Sequence, residues 1–273
     1  MRSSNPVMKT LTHPNGHGAP QGDPFLGTQA GQYSFPPMEQ RSTERPMTVD
    51  DVVTKTGITL AVIVALGIVN FAIGATVSYS LSSMLTIVGA IGGLITVLVA
   101  TFGRKFGSAA VTLIYAAFEG LFVGGISLVL SGFVFGRTVN AGLLIGQAVL
   151  GTVGVFLGML FVYKIGAVKV TPKFTRILSA CLMGVVVLAL GNVVLSLFGL
   201  NLLRAGGLLS IIFSLVCIGL AAASFLVDFD SADEMIRAGA PAKAAWGIAL
   251  GLAVTLVWLY TEILRLLSIF QQR

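Results

Sequence analysis

From Lys55 onward the chain alternates long apolar runs with short polar breaks. Seven runs, near residues 57–76, 82–102, 107–133, 141–164, 175–200, 205–229 and 242–270, are long enough to cross a membrane. A bilayer core of about 30 Å needs some 20 helical residues. The breaks hold Ser78, Ser80, Ser82 and Ser83, then Gly103, Arg104 and Lys105, then Gly136, Arg137 and Asn140. Lys164, Lys169, Pro172, Lys173 and Arg176 make the fourth and most basic break. Backbone groups in lipid must be satisfied within each segment, so the pattern predicts an all-α, polytopic seven-transmembrane-helix bundle over residues 51–273. The short second and sixth junctions leave six or eight spans as alternatives.

Residues 1–50 lack this pattern. His13, Pro14, Gly16, His17, Gly18, Pro20, Pro36 and Pro37 stand among Gln, Ser and Thr with almost no aliphatic residues. Such a segment cannot bury enough apolar area to offset chain entropy, so a disordered cytoplasmic tail is expected. It has no charged start, apolar core and small-residue cleavage site of a signal peptide. His13 and His17 could hold a metal, although a solvated tail is the simpler reading.

Composition strengthens the membrane reading: 55% of residues are hydrophobic, 10% are charged, and the mean hydropathy is +0.93. Soluble domains carry about 25% charged residues. The formal charge of +6 and pI near 9.6 do not point to nucleic acid, because the basic residues stand singly at segment ends. They fit orientation by loop charge instead. With a cytoplasmic N-terminus, that side carries Arg104, Lys105, Lys164, Lys169, Lys173, Arg176, Arg237 and Lys243, against Arg137 and Arg204 opposite. Cys181 and Cys217 lie mid-segment and are expected as buried free thiols. Gly89, Gly92 and Gly93, Gly120, Gly124 and Gly125, and Gly142, Gly146, Gly151, Gly154 and Gly158 recur at spacings that let membrane helices approach closely.

Acids are scarce enough for each to matter. Of eleven, Asp23, Glu39, Glu44, Asp50 and Asp51 fall in or beside the tail, leaving six for the membrane part. An ionisable side chain in hydrocarbon costs about 2.5–3.5 kcal/mol on insertion scales, so such groups are functional candidates by default. Glu119 stands mid-span with no base in its own segment; it is either a protonated carboxyl bonded to a neighbouring helix or a proton or cation relay. Glu262 and Arg265 are three apart and share a helix face with Trp258 and Thr255. Arg265 either neutralises Glu262 structurally or serves a functional carboxylate. Asp228, Asp230, Asp233 and Glu234 suggest a cation site, but the spacing fails as an EF-hand, with Asp233 at its sixth position and Gly239 at its twelfth. Asp233 and Glu234 read as a solvated helix end, and Asp228 and Asp230 as the pair at the apolar boundary. The predicted spans put Asp230 near the cytoplasmic border and Glu262 about 12 Å in from the opposite one.

No GxSxG, HExxH or Walker sequence is present, and neither His lies in a span, so no enzyme is expected.

Two stretches resemble the Bax inhibitor family. One is Phe229-Asp230-Ser231, where the family has Phe-Asp-Thr at the end of its sixth span. The other is Leu259-Tyr260-Thr261-Glu262-Ile263-Leu264-Arg265-Leu266-Leu267, similar to the family's last-helix pattern with its acid inside Leu-Tyr-x-acid-Ile. Glu119-Gly120 in the third span is similar as well, and the likeness covers residues 57–270. The tail and the Gly239-Ala240-Pro241 loop look most like a bacterial, actinobacterial branch. The resemblance implies a pH-sensitive calcium leak in the cell membrane. Asp230 and Glu262 would form the gate and transient calcium ligands, Arg265 the counter-charge, and Asp228 and Glu119 secondary sites. Two carboxyls a few Å apart cannot both ionise cheaply, and their repulsion can bias a helix movement. No resident cofactor is expected. The partners are the lipid bilayer, calcium ions and, in the alternative reading, a membrane protease or stress-response protein that the chain regulates through its tail. A proton-coupled exporter is a third possibility.

Overall fold

The computed structural model describes residues 45–103, 106–132, 140–198 and 208–271. The tail through residue 44, with both histidines, and the loop charges Arg104, Lys105, Arg137 and Arg204 lie outside the described residues. Seven helices are long and apolar enough to cross a membrane. They are α1 (Val49–Ala72, continued by a π-helical turn at Ile73–Val77), α2 (Tyr79–Phe102), α3 (Ala109–Leu130), α4 (Ala141–Lys164), α5 (Pro172–Leu197), α6 (Leu208–Arg237) and α7 (Ala245–Gln271), the last entered by a 3-10 turn at Ala242–Ala244.

Two boundaries differ from the apolar pattern. α1 begins eight residues before the expected run, because Thr48 and Asp51 form a capping box that turns a polar stretch into a helix start. α6 runs eight residues past the expected end, to Arg237. An Asp233–Arg237 ion pair of 2.5 Å at i,i+4 supports that last stretch, and Gly239, at φ 67°, ends it.

α7 is the centre of the bundle. Its residues enter all three buried clusters: Leu252, Leu256 and Leu259 with Phe225 and Phe229 of α6; Leu250, Ala253 and Val257 with Ile63 of α1 and Tyr115 and Ala116 of α3; Tyr260 and Leu264 with Leu144 and Ala148 of α4. α5 is the peripheral span and packs chiefly on α6.

Glycine sets the closest approaches. A Cβ at Gly124 of α3 would collide with the Gly67 carbonyl oxygen of α1, and one at Gly89 of α2 would stand 2.6 Å from the Phe118 carbonyl oxygen of α3. In α4 the expectation of close packing holds only in part: a Cβ at Gly151 would meet Ile263 of α7 at 3.4 Å, while Gly146, Gly154 and Gly158 have no neighbour within 4 Å among the described residues.

The segment ahead of α1 is not tail. Residues 45–48, expected to be disordered, form a strap across the α6–α7 turn, and Val49 and Asp50, expected likewise, open α1. Met47 N donates to Ala240 O (2.7 Å), and Ala242 N donates to Arg45 O (3.0 Å). Met47 is 2% exposed, packed among Phe225, Phe229 and Leu252. Arg45 forms a bidentate pair with Asp51 at 2.9 and 2.6 Å, and Lys55 donates to the Ala242 carbonyl.

Candidate functional site

α6 and α7 run antiparallel, and their register decides which polar groups meet. Asp228 lies toward the strap end of α6, where Thr255 Oγ1 of α7 donates to its Oδ2 at 2.8 Å. Its other oxygen, Oδ1, faces Gly251, one turn before Thr255. No basic side chain pairs with Asp228 among the described residues.

Seven residues along α7, about 10 Å at 1.5 Å per residue, comes Glu262. Its Oε1 stands 3.8 Å from Arg265 Nη1, at the outer limit of an ion pair, and the two side chains are 12% and 28% exposed. The Arg265 guanidinium also lies over the Phe213 ring of α6, 5.9 Å from its centroid. Glu262 Oε2 is buried with no hydrogen-bond partner among the described residues, and the same holds for Ser214 Oγ of α6. Ser214 and Cys217 lie close enough to Glu262 to feel its charge. Cys217 is a buried free thiol as expected, whereas Cys181 on α5 is exposed.

The expected pairing of Asp230 with Glu262 is not formed. Glu262 sits against Ser214 and Cys217, 16 and 13 residues before Asp230 and 14 and 11 before Asp228, so along the α6 axis Asp230 stands about 20–24 Å away and Asp228 about 17–21 Å. Asp230 instead turns toward α4. Tyr163 OH donates to Asp233 Oδ2 at 3.3 Å and approaches Asp230 Oδ1 at 3.5 Å, the outer edge of a hydrogen bond. Arg237 closes this group through Asp233. Asp228 and Asp230, two apart on a helix, point to different neighbours, so the acid that meets α7 is Asp228.

Glu119 belongs to neither group. It lies beside Tyr115, one turn earlier on α3, and its Oε2 faces α2, where a Cβ at Gly93 would come within 2.9 Å.

Other polar groups are cross-braces. Asn70 of α1, fully buried, donates to Leu121 O (2.6 Å) and Thr86 Oγ1 (3.1 Å), tying α1 to α3 and α2. Ser127 of α3 and Tyr260 of α7 share a hydrogen bond of 2.8 Å. Thr112 donates to the Trp246 carbonyl at 3.0 Å. The sequence signal for Asn70 is a lone amide in an apolar run. Ser214 had none, because a membrane-helix serine usually donates to its own backbone.

A model of the Bax inhibitor 1 like family matches residues 5–272, nearly the whole chain. The chain belongs to this family. The match takes in most of the tail as well as the spans, a wider reach than residues 57–270. Members are membrane-embedded, and the family has been linked to calcium leak. Among curated proteins no relative matches.

Proposed function

We propose that the chain is a pH-sensitive calcium leak of the cytoplasmic membrane, N-terminus cytoplasmic, whose cation path follows the α6/α7 seam past Asp228 and Glu262. The observation that supports it is the state of these two acids inside membrane segments. Among the described residues Asp228 has a hydroxyl partner but no basic one, and Glu262 has one oxygen without a hydrogen-bond partner. Ionisable residues inside membrane segments are rare, usually pair, and mark ion and substrate pathways by default. Hard cations take such oxygens, so calcium suits the site as cargo, with no resident cofactor and no catalysis.

The offset of the two acids, about 10 Å measured along α7 and about 17–21 Å measured along α6, changes how protonation acts. At an effective dielectric of 20, two charges repel by about 2 kcal/mol at 10 Å and about 1 kcal/mol at 20 Å, against about 4 kcal/mol at 4 Å. The acids therefore work mainly on the passing cation and less on one another. An ionised carboxylate attracts a cation and a protonated one does not, so flux rises with pH. The test is Ca²⁺ entry into liposomes from about pH 6 to 8, where Glu262→Gln is expected to cut flux and flatten its pH dependence. Native-level flux with an unchanged pH profile in that variant would refute the role of Glu262.

The strap gives the second reading, a membrane-embedded regulator, a specific footing. It joins the tail directly to the α6–α7 turn through Met47 and Arg45, so a partner that pulled on the tail would act on the same seam.

A further inference from the structure

Hydroxyls inside these helices generally fold back on their own backbone. Ser127 donates to Val123 O (2.6 Å), Thr152 to Ala148 O (2.8 Å) and Ser224 to Leu220 O (2.9 Å). Ser214 departs from the habit. It is fully buried, its hydroxyl has no hydrogen-bond partner among the described residues, and it lies on the α6 face that carries Ser210, Cys217 and Ala221 inward.

Opposite stands a carboxylate oxygen that is likewise buried and without a hydrogen-bond partner among the described residues, Glu262 Oε2. Arg265 over Phe213 sets this turn of α7 against the Ser214 turn of α6, and the hydroxyl is near enough to act on the carboxylate as a weak donor, although the contact falls outside normal hydrogen-bond geometry. Leaving two oxygens unpaired in the interior is costly for both, and either could have been satisfied locally. Arg265 does not resolve this, since it meets the other oxygen, Oε1, from 3.8 Å while lying over Phe213.

Resting on the leak reading above, we propose that Ser214 Oγ and Glu262 Oε2 form a two-oxygen station for a partly dehydrated cation, with Ser214 as the second ligand that no motif discloses. The chemistry is that of a hard cation: one anionic and one neutral oxygen, from facing helices, replace part of a hydration shell. The nearby Arg265 charge keeps the station weak. Weakness suits conduction, which needs an ion held firmly enough to enter and loosely enough to leave.

The experiment compares the native chain with Ser214→Ala in two readouts, Ca²⁺ entry into liposomes and the melting temperature of the detergent-purified protein with and without Ca²⁺. Removing an unbonded hydroxyl should leave the melting temperature without Ca²⁺ unchanged or slightly raised. Flux should fall about tenfold, since one of two ligands is gone, and any Ca²⁺-dependent rise in melting temperature should disappear. If the native chain conducts and Ser214→Ala conducts within about twofold of it, the station is overturned while the leak reading stands. If the native chain does not conduct, the leak reading fails. In that case a Ca²⁺-dependent melting shift lost in Ser214→Ala still supports the station, and no shift in either protein overturns it. A melting temperature several degrees lower in Ser214→Ala without Ca²⁺ would make Ser214 a structural brace and overturn the proposal.

Discussion

Thr255 holds Asp228 by a single hydroxyl, and the chemistry of the seam turns on bonds of this size. Removing a partner from a buried charged group costs about 1.5–3 kcal/mol in soluble proteins, whereas polar pairs in membrane proteins average about 0.6 kcal/mol and reach about 1.7. Thr255→Val leaves the Asp228 carboxylate without its donor, so a loss near the upper membrane value, about 1–2 kcal/mol, is expected in reversible unfolding. Tyr260→Phe, which breaks a neutral pair with Ser127, should cost about 0.6 kcal/mol. An equal effect of the two would mean that Asp228 is not charged against Thr255. The acids themselves were legible in the sequence, since an ionisable residue in an apolar run stands out. Which of Asp228 and Asp230 faces α7 was not, because that depends on helix register, which neighbouring apolar residues do not encode.

At the scale of helices, the bundle is held by close approach in one half and by packing on α7 in the other. The Gly67–Gly124 crossing brings backbone against backbone, so an added Cβ meets a carbonyl that cannot rotate aside. Gly124→Ala is therefore expected to cost about 1–3 kcal/mol, as overpacking does. Gly154→Ala, with open space, should be neutral or gain up to about 1 kcal/mol from helix propensity. Melting of the two variants in detergent checks the contrast, and a destabilised Gly154→Ala would place a helix against that face. Small-residue spacing alone read both helices alike, because it cannot say which glycine has a neighbour. The seven spans were readable from apolar length, but the start of α1 and the end of α6 were set by a capping box and an ion pair in polar sequence. Met47 is not legible in the sequence for a similar reason: a single apolar residue in a polar segment declares nothing until the α6–α7 turn closes over it.

For the whole molecule, α7 is both the centre of the fold and one wall of the proposed path, so the residues that stabilise the bundle surround those that would pass an ion. The seam carries its acids in sequence: Asp228 against Thr255, then Glu262 about 10 Å on along α7, with Asp230 turned away to Tyr163 and Asp233. The resemblance at Phe229-Asp230-Ser231 points to Asp230, whereas the contacts in the structure put Asp228 against α7 and Asp230 against Tyr163. The most direct measurement is Ca²⁺ entry into liposomes for Asp228→Asn and Asp230→Asn side by side, at matched protein density and near pH 7.5. The account predicts that Asp228→Asn loses most of the flux, about tenfold, while Asp230→Asn stays within about twofold of the native chain. Loss in Asp230→Asn with native flux in Asp228→Asn would contradict it and return the gate to the Tyr163 side of α6.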